Sequence, residues 1–282
     1  MRILVLGVSG MLGRAIWQGL GADERHELVG ASRRPGALPP IRNGQVLSAD
    51  VLEDGDLQRL FDLAQPEVVI NAVGLIKQLD NAKDPLQAVP INTLLPHRLA
   101  AFCRRHDARL IHVSTDCVFR GDKGLYRESD QPDATDLYGL SKYLGEVSDD
   151  PKAITLRTSI IGRESGTANG LVEWFLGQSG AVRGYRGAVF SGLTTVALTE
   201  TIRDLILPRP DLHGLFHVSA EPINKFDLLT LVADIYGKSI RIDPVDEPSI
   251  DRSLNSDRFR EACGFSPQSW PEMIRRMREL QG

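Results

Sequence analysis

Tyr138 and Lys142 stand four residues apart in the run Tyr138-Gly139-Leu140-Ser141-Lys142. That spacing puts both on one face of a helix, one turn from each other. A phenol with an ordinary pKa of about 10 is a poor proton donor at neutral pH. A nearby ammonium favours the phenolate and brings the hydroxyl towards the range of a general acid. The pair therefore reads as an acid, Tyr138, with its tuner, Lys142. Tyrosine and lysine at this spacing are also common on solvated helices, so the elements around the pair decide its meaning. One of these precedes it: the apolar run Leu110-Ile111-His112-Val113 ends in Ser114-Thr115-Asp116-Cys117. Hydroxyls at the end of a strand, followed by a Tyr/Lys helix, form a candidate catalytic cluster.

A second set of residues suits a dinucleotide. Gly7-Val8-Ser9-Gly10-Met11-Leu12-Gly13 follows the first apolar run directly and opens an amphipathic stretch. The first glycine permits a tight turn, the second lets a pyrophosphate approach the backbone, and the third lets the helix pack on the strand. Free N–H groups at the helix start then face the phosphates. The spacing is one residue wider than Gly-x-Gly-x-x-Gly. Leu28-Val29-Gly30-Ala31, read as the second strand, runs into Ser32-Arg33-Arg34 rather than a carboxylate. A carboxylate would repel a 2′-phosphate, whereas a guanidinium can grip it with paired hydrogen bonds. NADPH is the expected cofactor, with NADH as the alternative. Asp50-Val51, after the third strand, is placed to meet the adenine. Ala72-Val73-Gly74, following Asn71 at the end of the fourth, supplies small residues where backbone approaches the dinucleotide.

The pattern that positions these residues is α/β. Apolar runs at Arg2–Leu6, Glu27–Ala31, Val46–Leu47, Val68–Asn71, Arg109–Ser114 and Ala153–Arg157 alternate with helical stretches at Leu12–Leu20, Leu57–Gln65, Asn92–His106 and Tyr138–Val147. Strands apolar throughout, separated by helices, predict a Rossmann-type, doubly wound parallel sheet covered on both faces. We expect an NAD(P)-binding domain over residues 1–160. A smaller C-terminal α/β substrate-binding lobe is expected over 161–282, with segments that return to the first domain. Glycine-rich loops are expected at 162–170 and 177–192. Between and beyond them, helices are expected at Leu171–Leu176, Val196–Leu207, Lys225–Tyr236 and Pro271–Leu280, and a strand at Gly214–Ser219. Trp174 and Phe175 read as lobe core, and His213 and His217, four residues apart on a strand, as too far separated for a metal site.

Composition narrows the partners. Lysine and arginine number 33 against 37 acidic residues, a formal charge of −4, so there is no basic excess for nucleic acid. No apolar run approaches the roughly 20 residues of a membrane span. Arg2–Leu6 reads as a strand rather than a signal peptide, because glycines and Arg14 interrupt the apolar region and no small-residue cleavage site follows. Three scattered cysteines, Cys103, Cys117 and Cys263, suit a reducing cytoplasm, where Cys117 reads as a small packing residue.

Taken in order, the glycine turn, Asn71-Ala72-Val73-Gly74, Ser114-Thr115-Asp116-Cys117-Val118-Phe119, Tyr126-Arg127-Glu128, Tyr138-Gly139-Leu140-Ser141-Lys142 and Arg157-Thr158-Ser159 resemble the extended short-chain dehydrogenase/reductases. Phe190-Ser191-Gly192-Leu193-Thr194-Thr195 and Arg252-Ser253-Leu254-Asn255-Ser256 narrow the resemblance to the dTDP-4-dehydrorhamnose reductase family. It spans nearly the whole chain. The resemblance implies an NADPH-dependent reductase of a nucleotide-linked 4-keto-6-deoxy sugar, serving cell-surface polysaccharide synthesis. It implies that Thr115 orients the ketone, that Tyr138 protonates it, and that Lys142 tunes Tyr138 and binds nicotinamide ribose. Asp116 and Arg252 join the substrate site, and Asn92 matches an asparagine of a proton relay. Arg183, Arg186 and Arg252 are candidates for a substrate diphosphate, against a solvated surface. Cys117 departs from the aromatic residue common at its position. Three alternatives stand beside this reading. One is a reductase of a UDP-2-acetamido-2,6-dideoxy-4-hexulose and another a sugar-nucleotide epimerase or dehydratase. The third is a non-catalytic dinucleotide-binding regulatory subunit, such as that of methionine adenosyltransferase. A homodimer is left open. The arginine pair yields a direct test: kcat/KM should be higher with NADPH than with NADH, and equal values would contradict the cofactor assignment.

Overall fold

The computed structural model describes residues 1–34, 38–164, 166 and 168–281. In chain order its strands are β1 (Arg2–Leu6), β2 (Glu27–Ser32), β3 (Gly44–Ser48), β4 (Val68–Asn71), β5 (Arg109–Thr115), β6 (Ala153–Thr158), β7 (Ile160–Ile161), β8 (Ala181–Tyr185), β9 (Ala188–Phe190), β10 (Leu193–Thr194), β11 (Gly214–His217), β12 (Ile223–Asn224), β13 (Arg241–Val245) and β14 (Ile250–Asp251). The α-helices are α1 (Met11–Gly21), α2 (Asp54–Ala64), α3 (Pro85–Ala88), α4 (Leu95–Arg105), α5 (Leu137–Leu144), α6 (Leu171–Gly177), α7 (Thr195–Thr201), α8 (Lys225–Tyr236), α9 (Asp257–Cys263) and α10 (Trp270–Gln281). The chain divides into two compact units, each discontinuous. The first comprises Met1–Ser114, Thr135–Leu156 and Thr199–Phe216, the second Thr115–Ala134, Arg157–Leu198 and His217–Gly282.

The first unit is built on a seven-stranded sheet of order β11-β6-β5-β4-β1-β2-β3. β1 runs parallel to β2 and β4, β2 to β3, and β4 to β5. The order reverses at β1, as in doubly wound dinucleotide-binding sheets, and opens a crevice at the carboxyl ends of β1 and β4. The expected Rossmann-type architecture is thus the observed one. The register sets Leu4 beside Val29 and Val69, and Leu6 beside Ala31. Alternation sends these side chains into one apolar layer with Leu57, Leu60 and Phe61 of α2 and Leu95, Leu99 and Phe102 of α4. Each large side chain buried this way contributes about 1.5–3 kcal/mol. α1 buries Ile16, Trp17 and Leu20, and the Trp17 indole N–H donates to Pro39 O at 3.0 Å.

Among its described residues the second unit holds three small sheets, β12-β9-β14, β13-β8 and β10-β7. β9 is the middle strand of the first, antiparallel to β12 and parallel to β14. Leu228, Leu229 and Val232 of α8 and Met273, Ile274 and Met277 of α10 are buried.

Several expectations change. The stretch 177–192, read as loop, contains β8 and β9; both are short and β8 is broken by Gly184 and charged Arg183, which hides the alternation. β7, β10, β12, β13, β14, α3 and α9 have no counterpart among the expected elements. The single helix expected over Asn92–His106 is instead α4 preceded by a π-helical turn, Val89–Leu94, where Pro90 and Pro96 remove backbone donors from the helical ladder. The Tyr/Lys helix stops at Leu144, capped by Gly145. Phe175 is buried as expected, but Trp174 is 39% exposed and is not core. Positions 165 and 167 of the expected loop 162–170 lie outside the described residues. Among the described residues, no helix is long and apolar enough to cross a membrane.

The apolar layer between the sheet and α2 turns on Phe61, which is fully buried and whose ring centroid is 5.2 Å from that of Phe102 and 5.0 Å from that of His106. Phe61→Ala should lower unfolding free energy by about 3–5 kcal/mol in urea titrations, and an unchanged midpoint would contradict this packing.

Candidate active site

In the first unit the predicted cofactor residues gather at the carboxyl ends of β1–β4. Gly7 has φ +82°, in the left-handed region that glycine tolerates. Its N–H donates to Ala31 O at 2.9 Å, tying the turn to β2. A Cβ at Gly13 would lie 2.1 Å from Gly7 O, so α1 can begin this close to the turn only with glycine there. α1 starts after Gly10 with no side-chain cap and no acid in its first turn, leaving its first N–H groups and dipole for anionic oxygens. Ser9 Oγ lies 2.8 Å from Ser32 Oγ, and the exposed Arg33 and Arg34 follow. Asp50 accepts from the Leu52 N–H at 3.0 Å while its own N–H donates to Asp56 at 2.7 Å, so its carboxylate shapes the loop after β3. Asn71 accepts from the Val73 N–H at 3.1 Å, fixing the run into Ala72-Val73-Gly74. A Cβ at Gly7 would lie 3.0 Å from Val73 Cγ2, so that run and the glycine turn meet. This uncapped helix start, with a cradle that a Cβ would fill, fits a dinucleotide pyrophosphate.

Tyr138 and Lys142 lie on α5, also in the first unit. Asp136 begins this helix by accepting from the Gly139 N–H at 2.9 Å, and it pairs with Lys77 at 2.7 Å. Tyr138 is half-buried. Lys142 is 5% exposed, and its ammonium donates to Val113 O on β5 at 2.8 Å. Burial lowers the lysine pKa to about 8, with the Glu146 carboxylate opposing. Glu146 in turn accepts from Ser114 Oγ at 2.7 Å. A Cβ at Gly74 would lie 4.0 Å from Lys142 Nζ and 3.7 Å from Asn92 Oδ1, so the chain after β4 passes over the lysine. Asn92 is consumed by structure: its amide accepts from the Leu75 N–H at 2.9 Å and donates to Ser141 Oγ at 3.2 Å. His112, buried on β5, faces Asn71 at 3.1 Å; burial, then the Lys142 charge, hold its pKa well below the usual value.

Thr115 closes β5 and begins the second unit. Its hydroxyl accepts from the Cys117 N–H at 3.1 Å and donates to Asp116 at 3.2 Å. Asp116 is buried, and burial raises its pKa against the opposing charges of Arg252 and Lys225. Cys117 is half-buried, and its side chain hydrogen-bonds this carboxylate, a polar setting rather than the apolar packing expected. Arg252 donates through Nε to Phe119 O at 2.8 Å. Arg183 and Arg186 are exposed, with the Arg186 guanidinium 5.0 Å from the Phe226 ring centroid. His217 is buried at the end of β11 with Nδ1 2.9 Å from Tyr126 O; burial, then Arg157, push its pKa down to about 3. Among the described residues, no group of His, Cys, Asp and Glu side chains is placed to hold a metal ion.

With this geometry in hand, the chain can be set beside known proteins. The family described as RmlD substrate binding domain matches residues 1–280. The chain belongs to that family. The dTDP-4-dehydrorhamnose reductase of Aggregatibacter actinomycetemcomitans is 25% identical, over 98% of each chain. Methionine adenosyltransferase 2 subunit beta of Xenopus laevis is 26% identical, over 88% of this chain and 76% of its own. Among solved structures, the fold matches dTDP-4-dehydrorhamnose reductase from Bacillus anthracis in complex with NADP. There the TM-score is 0.80 at 19% identity, covering 99% of this chain and 98% of that one. RmlD-family membership agrees with the resemblance read from the motifs.

Sequence reasoning passed over Glu146 and Lys225. Glu146 is four residues beyond Lys142 and shares the spacing logic of the pair, so it was accessible in principle. Lys225 had no local signal.

The lysine offers a test. An unfolded lysine titrates near 10.5 and folded Lys142 at about 8. Between these values the unfolded chain holds the extra proton, so this group's contribution to stability rises with pH across that window. Stability of the wild type relative to Lys142→Met should therefore increase by about 3 kcal/mol from below pH 8 to above pH 10.5. A difference that does not change with pH in urea titrations would contradict the burial of this ammonium.

Proposed function

We propose that the chain is an NAD(P)-dependent oxidoreductase of the dTDP-4-dehydrorhamnose reductase kind. It reduces the ketone of a nucleotide-linked 4-keto-6-deoxy sugar, in the cytoplasm, as a step towards a cell-surface polysaccharide. The first unit is the cofactor-binding part and the second the substrate lobe. The observation that carries this reading is the buried Lys142 ammonium, one helical turn from Tyr138, in the unit whose strand ends form the glycine cradle.

Gly7, Ser9 and Gly10 shape the turn that admits the pyrophosphate, Met11, Leu12 and Gly13 offer it the N–H groups of the helix start, and Ser32, Arg33 and Arg34 take the adenosine ribose and its 2′-phosphate. Asp50 and Val51 border the adenine, and Ala72, Val73 and Gly74 border the dinucleotide beyond β4. Bound NADPH supplies a hydride to the ketone carbon, C4. Thr115 orients the carbonyl by turning its one hydroxyl hydrogen from Asp116 to the ketone oxygen, and Asp116 and Arg252 hold the sugar. As charge develops on the carbonyl oxygen, Tyr138 hydrogen-bonds it and then gives up its phenolic proton, so the oxygen stays on C4 as a hydroxyl. The protonated Lys142 stabilises the tyrosinate until solvent returns a proton. These interactions are stronger in the transition state than with the neutral ketone, which is the condition for acceleration.

A general acid contributes about 10²–10⁴ in rate. Tyr138→Phe should lose that factor in NADPH oxidation with dTDP-4-keto-L-rhamnose while keeping its affinity for NADPH. Near-normal turnover would refute Tyr138 as the acid. A wild type that binds NADPH yet oxidises it with neither dTDP- nor UDP-linked keto sugars would favour a non-catalytic regulatory subunit.

A further inference from the structure

The sheet β12-β9-β14 carries a cation on each side of its middle strand. β12 sets Ile223 beside Phe190 and Asn224 beside Val189, while β14 sets Ile250 beside Ala188 and Asp251 beside Val189. Lys225 and Arg252 are the next residues along those two strands. Both are fixed by their backbones. Asn224 accepts from the Asp227 N–H at 2.8 Å, making Lys225 the first residue of α8. The Arg252 N–H donates to Val189 O at 3.0 Å, and its Nε holds Phe119 O at 2.8 Å, anchoring it to the segment that follows Thr115.

The lysine head is held from one side only. Its ammonium lies 3.8 Å from the centroid of the Phe190 ring, and Phe190 is itself buried, with its centroid 5.4 Å from that of Trp270. An aromatic face attracts a cation but accepts no conventional hydrogen bond from it. Among the described residues, no hydrogen bond or ion pair takes the three ammonium donors. Asp116 and Cys117 act on the lysine at longer range, and burial lowers its pKa against them. Asp116 is the acceptor of this group, with the Thr115 hydroxyl and the Cys117 side chain already bonded to it. The second unit thus places two cations around a carboxylate whose chain neighbour is Thr115.

We propose that Lys225 is a specificity-determining residue that, together with Arg252, reads an oxygen substituent on the sugar ring of the substrate. This deepens the proposed function and rests on it. Thr115 is assigned to the ketone, and adjacent Cα atoms are about 3.8 Å apart. The groups around Asp116 therefore meet ring carbons next to the ketone rather than the distant nucleoside. A ring hydroxyl, or the carbonyl of an acetamido group, offers the half-buried ammonium a lone pair in place of solvent. Asp116 takes the donor side of a hydroxyl in the same place.

The test is steady-state kinetics of the full chain with NADPH and dTDP-4-keto-L-rhamnose or UDP-2-acetamido-2,6-dideoxy-4-hexulose. A hydrogen bond to a charged group is worth about a 10- to 100-fold change in affinity. Lys225→Met should raise KM for the sugar nucleotide by that factor, leaving kcat and the Kd for NADPH unchanged, and Lys225→Arg should recover most of it. An unchanged KM, or a parallel loss of NADPH affinity, would overturn the proposal. If the wild type reduces neither sugar, the proposed function fails, and Lys225 is judged by calorimetry with dTDP-glucose and dTDP. Weaker binding of dTDP-glucose but not dTDP by Lys225→Met would support the role. Equal binding of dTDP-glucose by both proteins, or none by the wild type, would reject it.

Discussion

The desolvated ammonium of Lys142 is the constraint on which the candidate chemistry depends. Withdrawing a charge of this size from water costs several kcal/mol, and the fold offsets that cost with two fixed oxygen groups. Val113 O on β5 accepts from it at 2.8 Å, and Glu146 lies within Coulomb reach, turned by a 2.7 Å bond from Ser114. Neighbouring residues on one strand, Val113 and Ser114, therefore hold the two ends of the arrangement. Asp136 starts the helix that carries Tyr138 and Lys142, and Asn92 ties Ser141 of that helix to the chain leaving β4. His112 stays neutral beneath, so no second positive charge competes in the strand.

Each unit concentrates one kind of chemistry. In the first, the strand order reverses at β1, the glycine turn closes on β2, and small residues follow β4, all at the carboxyl ends where open α/β sheets bind ligands. In the second, Thr115 and the carboxylate beside it share one segment, and short strands bring Lys225 and Arg252 to it. Proteins named as reductases and as a regulatory subunit both align over most of the chain.

Much of the first unit was legible because its signals are local. Arg2–Leu6 and Val68–Asn71 are continuous apolar runs of strand length, and Gly7, Gly10 and Gly13 fall directly between a strand and a helix. The four-residue spacing of Tyr138 and Lys142 is a property of one helix. What could not be read depends on long-range contact. β8, β9, β12 and β14 are two to five residues long, too short for a period to register, and they gain stability from partners far along the chain. Lys225 resembles any helix-starting lysine until β9 brings Phe190 beneath it. The exposure of Trp174 likewise follows from which face of a seven-residue helix finds a partner, and the π-helical turn at Val89–Leu94 from how two prolines are accommodated.

The central claim is that Tyr138 protonates a ketone oxygen while a hydride reaches C4 of a nucleotide-linked sugar. Incubating the purified chain with NADPH deuterated at the transferable position of the nicotinamide and dTDP-4-keto-L-rhamnose, then locating the label in the sugar by NMR, tests it directly. One deuterium at C4, on the ring face opposite the new hydroxyl and transferred about 10²–10⁴ times more slowly by Tyr138→Phe, is the predicted result. An unlabelled sugar, or label at any other carbon, would contradict it.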